Sequence, residues 1–172
     1  MKNALFCIAD SNTQARLIIE DVTANGIPID NVSVVFPDQS GNKELSYTKN
    51  NKAPEGATAG AGAGGVVGGA LGLLAGLGSL VIPGFGVFVA AGPLLAALSG
   101  AAVGATVGGL AGGLAGMGIP EYEAKLYEGR ILKGNILIAV HVDTPDQQQR
   151  VLEVFRDLSA RDVSVTKETS IR

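Results

Sequence analysis

Tryptophan is missing from the 172 residues, and cysteine and histidine occur once each, as Cys7 and His141. A lone thiol forms no internal disulfide, and one thiol with one imidazole falls short of the clustered ligands that a structural or catalytic metal needs. Charged residues make up only 17% of the chain, with 13 Lys+Arg against 16 Asp+Glu for a net charge of -3. Without a clustered excess of basic residues there is no electrostatic footprint for a polyanion, so nucleic acid is not an expected partner. The scarcity is concentrated: between Gly56 and Pro120 there is no Asp, Glu, Lys, Arg or His at all. The N-terminus has one lysine, a short apolar run broken by Asp10 and no small-residue cleavage site. It does not read as a signal peptide, and a cytoplasmic start is expected.

Glycine fills the charge-free stretch; the chain has 25 of them. One row stands at Gly60, Gly64, Gly68, Gly72 and Gly76, a second at Gly100, Gly104, Gly108, Gly112 and Gly116, and the two are mirror images about residue 88. Glycine costs a helix interior about 1 kcal/mol relative to alanine, so such a helix needs compensation. In hydrocarbon the backbone has no other hydrogen-bond partner, and small residues let two helices approach closely. The pattern therefore predicts two helices, 57–81 and 93–117, joined by a break at 82–92, with Pro83 ending the first helix and Pro93 in the first turn of the second. Each would be about 37 Å long against a hydrocarbon core of about 30 Å. Mirror register sets glycine against glycine, Gly68 against Gly108 among them. These ten glycines are the predicted helix-packing and oligomer interface.

A five-membered row of step four drifts about 160° around a helix, so one partner does not satisfy it. Gly65, Gly69, Gly109 and Gly113 are then left for helices of neighbouring chains. Val66, Leu73, Leu77, Val81, Val103, Val107, Leu110 and Leu114 form the opposite, lipid-facing or core-facing surface. Lys43, Lys49 and Lys52 precede the first helix, and Lys125, Arg130 and Lys133 follow the second. By the positive-inside rule both flanks stay in the cytoplasm, with the hairpin in the inner membrane. The alternative is a soluble, cytoplasmic homo-oligomer that hides its apolar hairpins inside the assembly, with a ligand-sensing or regulatory α+β domain.

The two ends of the chain look alike. "NALFCIAD" reads as a strand, "SNTQARLIIEDVTANG" as a capped amphipathic helix stopped at Gly26, and "NVSVVF" at 31–36 as a second strand. "NILIAVHVD", the helix opened by Thr144, Pro145 and Gln147, and "DVSV" at 162–165 repeat the order. Sliding the halves by 134 residues lays Arg16-Leu17-Ile18 on Arg150-Val151-Leu152. Two β-α-β units predict an α+β, ferredoxin-like domain from 1–36 and 134–172, with helices on one face of a four-stranded sheet. Residues 37–56 are then a polar linker, 57–118 the glycine-zipper hairpin and 119–133 a connector helix.

Chemistry is hard to find. His141 alternates away from Ile138 and Val140 and is expected on the sheet surface. Tyr47, Tyr122 and Tyr127 are expected as interfacial anchors. "GAGAGG" imitates a dinucleotide fingerprint but lacks the acidic ribose partner and lies within a glycine row. No catalytic, cofactor or metal residue is assigned, an enzyme is not expected, and no small-molecule ligand is identifiable from the sequence.

The opening "FCIADSNTQARLIIEDVTANGIPIDNVSVVFPD", the glycine-rich insertion, "IPGFGVFVAAGPL", "GIPEYEAKLYEGRILKGNILIAV" and "ARDVSV" together resemble bacterial general-stress proteins of the heat-induced, YflT-like kind with a glycine-zipper insertion. That resemblance covers most of the chain and implies a stress-associated membrane or envelope role. It brings no catalytic residue with it.

Overall fold

The structure, a computed structural model, describes residues 3–37, 78–82, 86–94 and 102–167. Six strands and four α-helices occur among these residues, with a short 3-10 turn at Ile29–Asn31: β1 (Asn3–Ala9), α1 (Asn12–Ala24), β2 (Val32–Pro37), β3 (Gly78–Ile82), β4 (Gly86–Ala91), α2 (Ala102–Gly116), α3 (Glu121–Leu132), β5 (Ile136–Val142), α4 (Pro145–Asp157) and β6 (Arg161–Lys167). One antiparallel sheet holds all six strands in the order β3-β4-β2-β5-β1-β6. The fold is α+β, but the sheet is wider than the four strands expected, and its order differs accordingly.

The internal repeat is visible in the elements themselves. Asn3 corresponds to Ile136 and Asn12 to Pro145, an offset of 133 residues that carries β1 onto β5 and α1 onto α4 end to end. The 134-residue slide was one too long. It matched two arginines, whereas the true offset matches inward side chains, Ile18 with Val151 and Val22 with Phe155. Both helices open alike. Ser11 Oγ accepts from the Gln14 amide while Gln14 Oε1 accepts from the Asp10 amide, and Thr144 Oγ1 and Gln147 form the same reciprocal bonds with Asp143 and Thr144. Each arrangement satisfies amides that the first helical turn leaves without partners. Equivalent residues Phe6 and Ala139 face each other at the centre of the β1–β5 ladder, where a pseudo-two-fold axis crosses the sheet.

Alternation along β1 sends Leu5, Cys7 and Ala9 to one face and Ala4, Phe6 and Ile8 to the other. The first face packs on α1 and α4 through Ile18, Ile19, Val22, Val151 and Phe155. The second was expected to lie open. Instead Leu110 and Leu114 of α2, and Ala124, Tyr127 and Ile131 of α3, close it with Leu94 and Ile119. β1 and β5 are thus apolar on both faces, which is why they read as nearly continuous hydrophobic runs.

Three expectations for the insertion change. Residues 78–81 are strand and not the end of a helix, and 86–91 is a strand where a break between two helices was predicted. β-branched and aromatic side chains in "SLVI" and "VFVAA" favour a pleated chain over a helix once a sheet edge is near. β4 supplies that contact by pairing with β2 from Val34↔Ala91 to Pro37↔Phe88. Within the second predicted helix, Ala102–Gly116 is helical but interrupted at Gly109. No described helix is long and apolar enough to cross a membrane.

Candidate functional site

The glycine-bearing helix α2 and its seat on the sheet concentrate the unusual features of the chain. The seat begins at the end of β4. A side-chain Cβ on Gly92 would come within 2.2 Å of the Val32 carbonyl oxygen and 2.8 Å of Ser33 Oγ, so the chain approaches β2 as closely as only glycine permits. Leu94 N–H then donates to Ser33 Oγ at 3.0 Å. That bond satisfies Ser33, the one fully buried polar side chain among the described residues.

Within α2, Gly109 has φ 63° and ψ -156°. That region of backbone space is essentially closed to residues with a Cβ. The helix breaks there, and the Ala111 N–H, which a continuous helix would give to the Val107 carbonyl, donates instead to Glu128 Oε2 of α3 at 2.7 Å. A carboxylate facing the exposed amides of a restarting helix is favoured by hydrogen bonding and by the helix dipole together. Downstream of the break Leu110 and Leu114 are both fully buried. The turn after α2 folds Ile119 N–H back onto the Leu114 carbonyl and Gly118 N–H onto that of Ala115, which places Ile119 in the same apolar cluster.

α3 lies over this segment. Tyr127 is buried, its ring centroid 6.1 Å from that of Phe6. Its hydroxyl donates to the Asp162 carbonyl at 2.9 Å and meets Ser164 Oγ at 2.7 Å, tying α3 to β6. Burial pushes the phenol well above its usual range, with the Ser164 bond opposing in part. Arg130 Nε pairs with Asp162 Oδ2 at 2.8 Å one turn further on.

The predicted site residues are divided by this arrangement. Gly104, Gly108, Gly112 and Gly116 lie in α2. Gly60, Gly64, Gly68, Gly72, Gly76 and Gly100 lie outside the described residues, as do Gly65, Gly69, Val66, Leu73, Leu77 and Tyr47. A Cβ at Gly116 would meet nothing within 4 Å, so that glycine serves no close contact among the described residues. Gly109 is buried and breaks the helix, a role that the spacing argument had not given it. Leu110 and Leu114 face the domain's own core and not lipid, because the docked end of α2 covers the sheet. Tyr127 is core and not an interfacial anchor, whereas Tyr122 is 79% exposed. His141 is half-buried and lies on the covered side of β5 with Leu137 and Ala139, so its surroundings are not those of an open sheet surface.

Glu128 and Ser33 were missed as interacting residues, and Gly109 as a helix break. A serine inside the apolar run "VSVVF" was the one available signal. Cys7 is buried, and desolvation pushes its thiol far up, so it has no nucleophilic character at neutral pH. Among the described residues no group of three or more His, Cys, Asp or Glu side chains is placed to hold a metal ion. Comparison of the chain with protein-family models, with curated proteins and with solved structures gave no match.

Proposed function

We propose that the protein is a non-enzymatic homo-oligomer that associates with membranes through its glycine-rich insertion, with the α+β domain on the cytoplasmic side. The observation that carries this reading is the absence of any ionisable residue from Gly56 to Pro120, combined with glycine at every fourth position over 60–76 and 100–116. Apolar sequence without charge partitions into hydrocarbon, and small residues at helical spacing suit close packing between helices. The four strands β2-β5-β1-β6 with α1 and α4 are read as a ferredoxin-like unit, and β3 and β4 as an extension from the insertion. The stress-related role rests on the sequence blocks already quoted and on nothing else.

A second reading has one observation in its favour. β4 pairs with β2, so the part of the insertion expected to form the far tip of a membrane hairpin is stitched to the domain's own sheet. That favours an assembly in which the charge-free sequence of 57–77 is buried between copies of the chain and not in lipid. Alkaline carbonate washing of native membranes separates the two. The membrane reading predicts that the protein stays in the pellet and floats with lipid; release in a form that remains monodisperse without detergent establishes the second reading in its place.

A further inference from the structure

Gly109 and Glu128 together have the form of a hinge and its clasp. At the break in α2 a single donor, the Ala111 N–H, has two acceptors available to it. With Gly109 in its observed conformation the amide goes to Glu128 Oε2 at 2.7 Å. With Gly109 rotated into the helical region the amide returns to the Val107 carbonyl, and Glu128 is left to solvent or to another donor. These two arrangements exclude each other, which is the requirement for a bistable element.

We propose that this hinge sets the bent course of α2, and that straightening α2 at Gly109 frees its upstream half for assembly. The proposal rests on the reading of the insertion as the associating element. Burial of Leu110, Leu114 and Ile119 keeps the downstream half seated in both positions, so the motion is a pivot at one residue and not an undocking of the helix. Surroundings set the balance. In water the carboxylate bond is charge-assisted and favours the bent form. In an apolar environment a broken helix carries backbone groups that nothing else satisfies, which favours the straight form. The bent form therefore belongs to the unassembled chain and the straight form to the assembled one.

Ala111 reports the state directly. In the lipid-free full-length protein its amide proton resonance is expected far downfield, as a short bond to a carboxylate requires, with Cα shifts at Gly109 off helical values. Glu128→Ala removes the clasp and Gly109→Ala forbids the bent conformation, so each should bring the shifts from 107 to 113 to uniform helical values. Glu128→Gln, which keeps an acceptor without the charge, should fall between. Loss of a charge-assisted bond corresponds to on the order of tenfold more partition into anionic phospholipid vesicles for Glu128→Ala than for wild type. Should Gly109→Ala not fold, the two Glu128 variants carry the test. Unchanged shifts in Glu128→Ala overturn the hinge; changed shifts with unchanged partition and self-association overturn its control over assembly. Absence of any vesicle binding and self-association in wild type refutes the proposed function, while the lipid-free shifts still decide whether the hinge exists.

Discussion

Among the described residues, Cys7 and Tyr127 are the two buried titratable side chains whose environments oppose ionisation most strongly, both through desolvation. Each is neutral when protonated, and each holds its proton to higher pH in the folded chain than in the unfolded one. The folded state therefore binds more protons at alkaline pH, and stability must fall as pH rises. The loss should begin near the ordinary thiol range, about 8.5, with Tyr127 contributing above about 10. Urea midpoints measured from pH 7 to 10.5 should show this decline. Cys7→Ala should be less stable at pH 7 yet lose less between about pH 8.5 and 10, whereas a slope equal to wild type assigns the decline to other groups. Burial of Cys7 was legible, because it lies in a run apolar at every neighbouring position. The position of Tyr127 was not: Ala124, Tyr127 and Ile131 share the inward side of α3, but nothing in the sequence says that a sheet face lies open to receive them.

The helices of the repeated units were legible because their signals are local. The box at Thr144–Gln147 draws on neighbours three residues apart and its bonds are made as the sequence suggests, and Ser11 and Gln14 make an equivalent pair. All four helices end with the same pair of backbone bonds, glycine holding the left-handed position after α1, α2 and α3, and Ser159 at φ 55° after α4. β3 and β4 were not legible, since charge-free runs of this length carry no period that separates strand from helix. Their pairing with β2 is a tertiary preference that overrides local pattern. The same ambiguity left Leu114 on a surface facing either lipid or core, and a lipid-facing leucine would tolerate alanine. Fully buried beneath α3, Leu114→Ala should instead cost about 2–5 kcal/mol, read from a shift in the denaturant midpoint at unchanged slope. A change under about 0.5 kcal/mol would mean that α2 is not seated on the sheet in solution.

At the scale of the molecule, a duplicated β-α-β unit encloses an insertion longer than either half, and the insertion returns to complete the domain that it interrupts. Its β3 and β4 widen the sheet at β2, and the end of α2 roofs the face that α1 and α4 leave uncovered. The pseudo-two-fold relation stops at the sheet edges: β2 gains β4 as a neighbour, whereas its counterpart β6 pairs among the described residues with β1 alone. Charge and spacing made the insertion conspicuous in the sequence, but how it folds back was set by contacts tens of residues away. On the proposed function, the glycine row at 60–76 mediates association while the domain folds without needing that association. Light scattering coupled to size exclusion, in mild detergent, tests it on wild type and on a variant carrying Gly64→Leu, Gly68→Leu and Gly72→Leu. Oligomeric wild type and a folded, monomeric variant with an unchanged near-ultraviolet circular dichroism spectrum are predicted; a variant that keeps the wild-type mass, or a wild type already monomeric, contradicts the account.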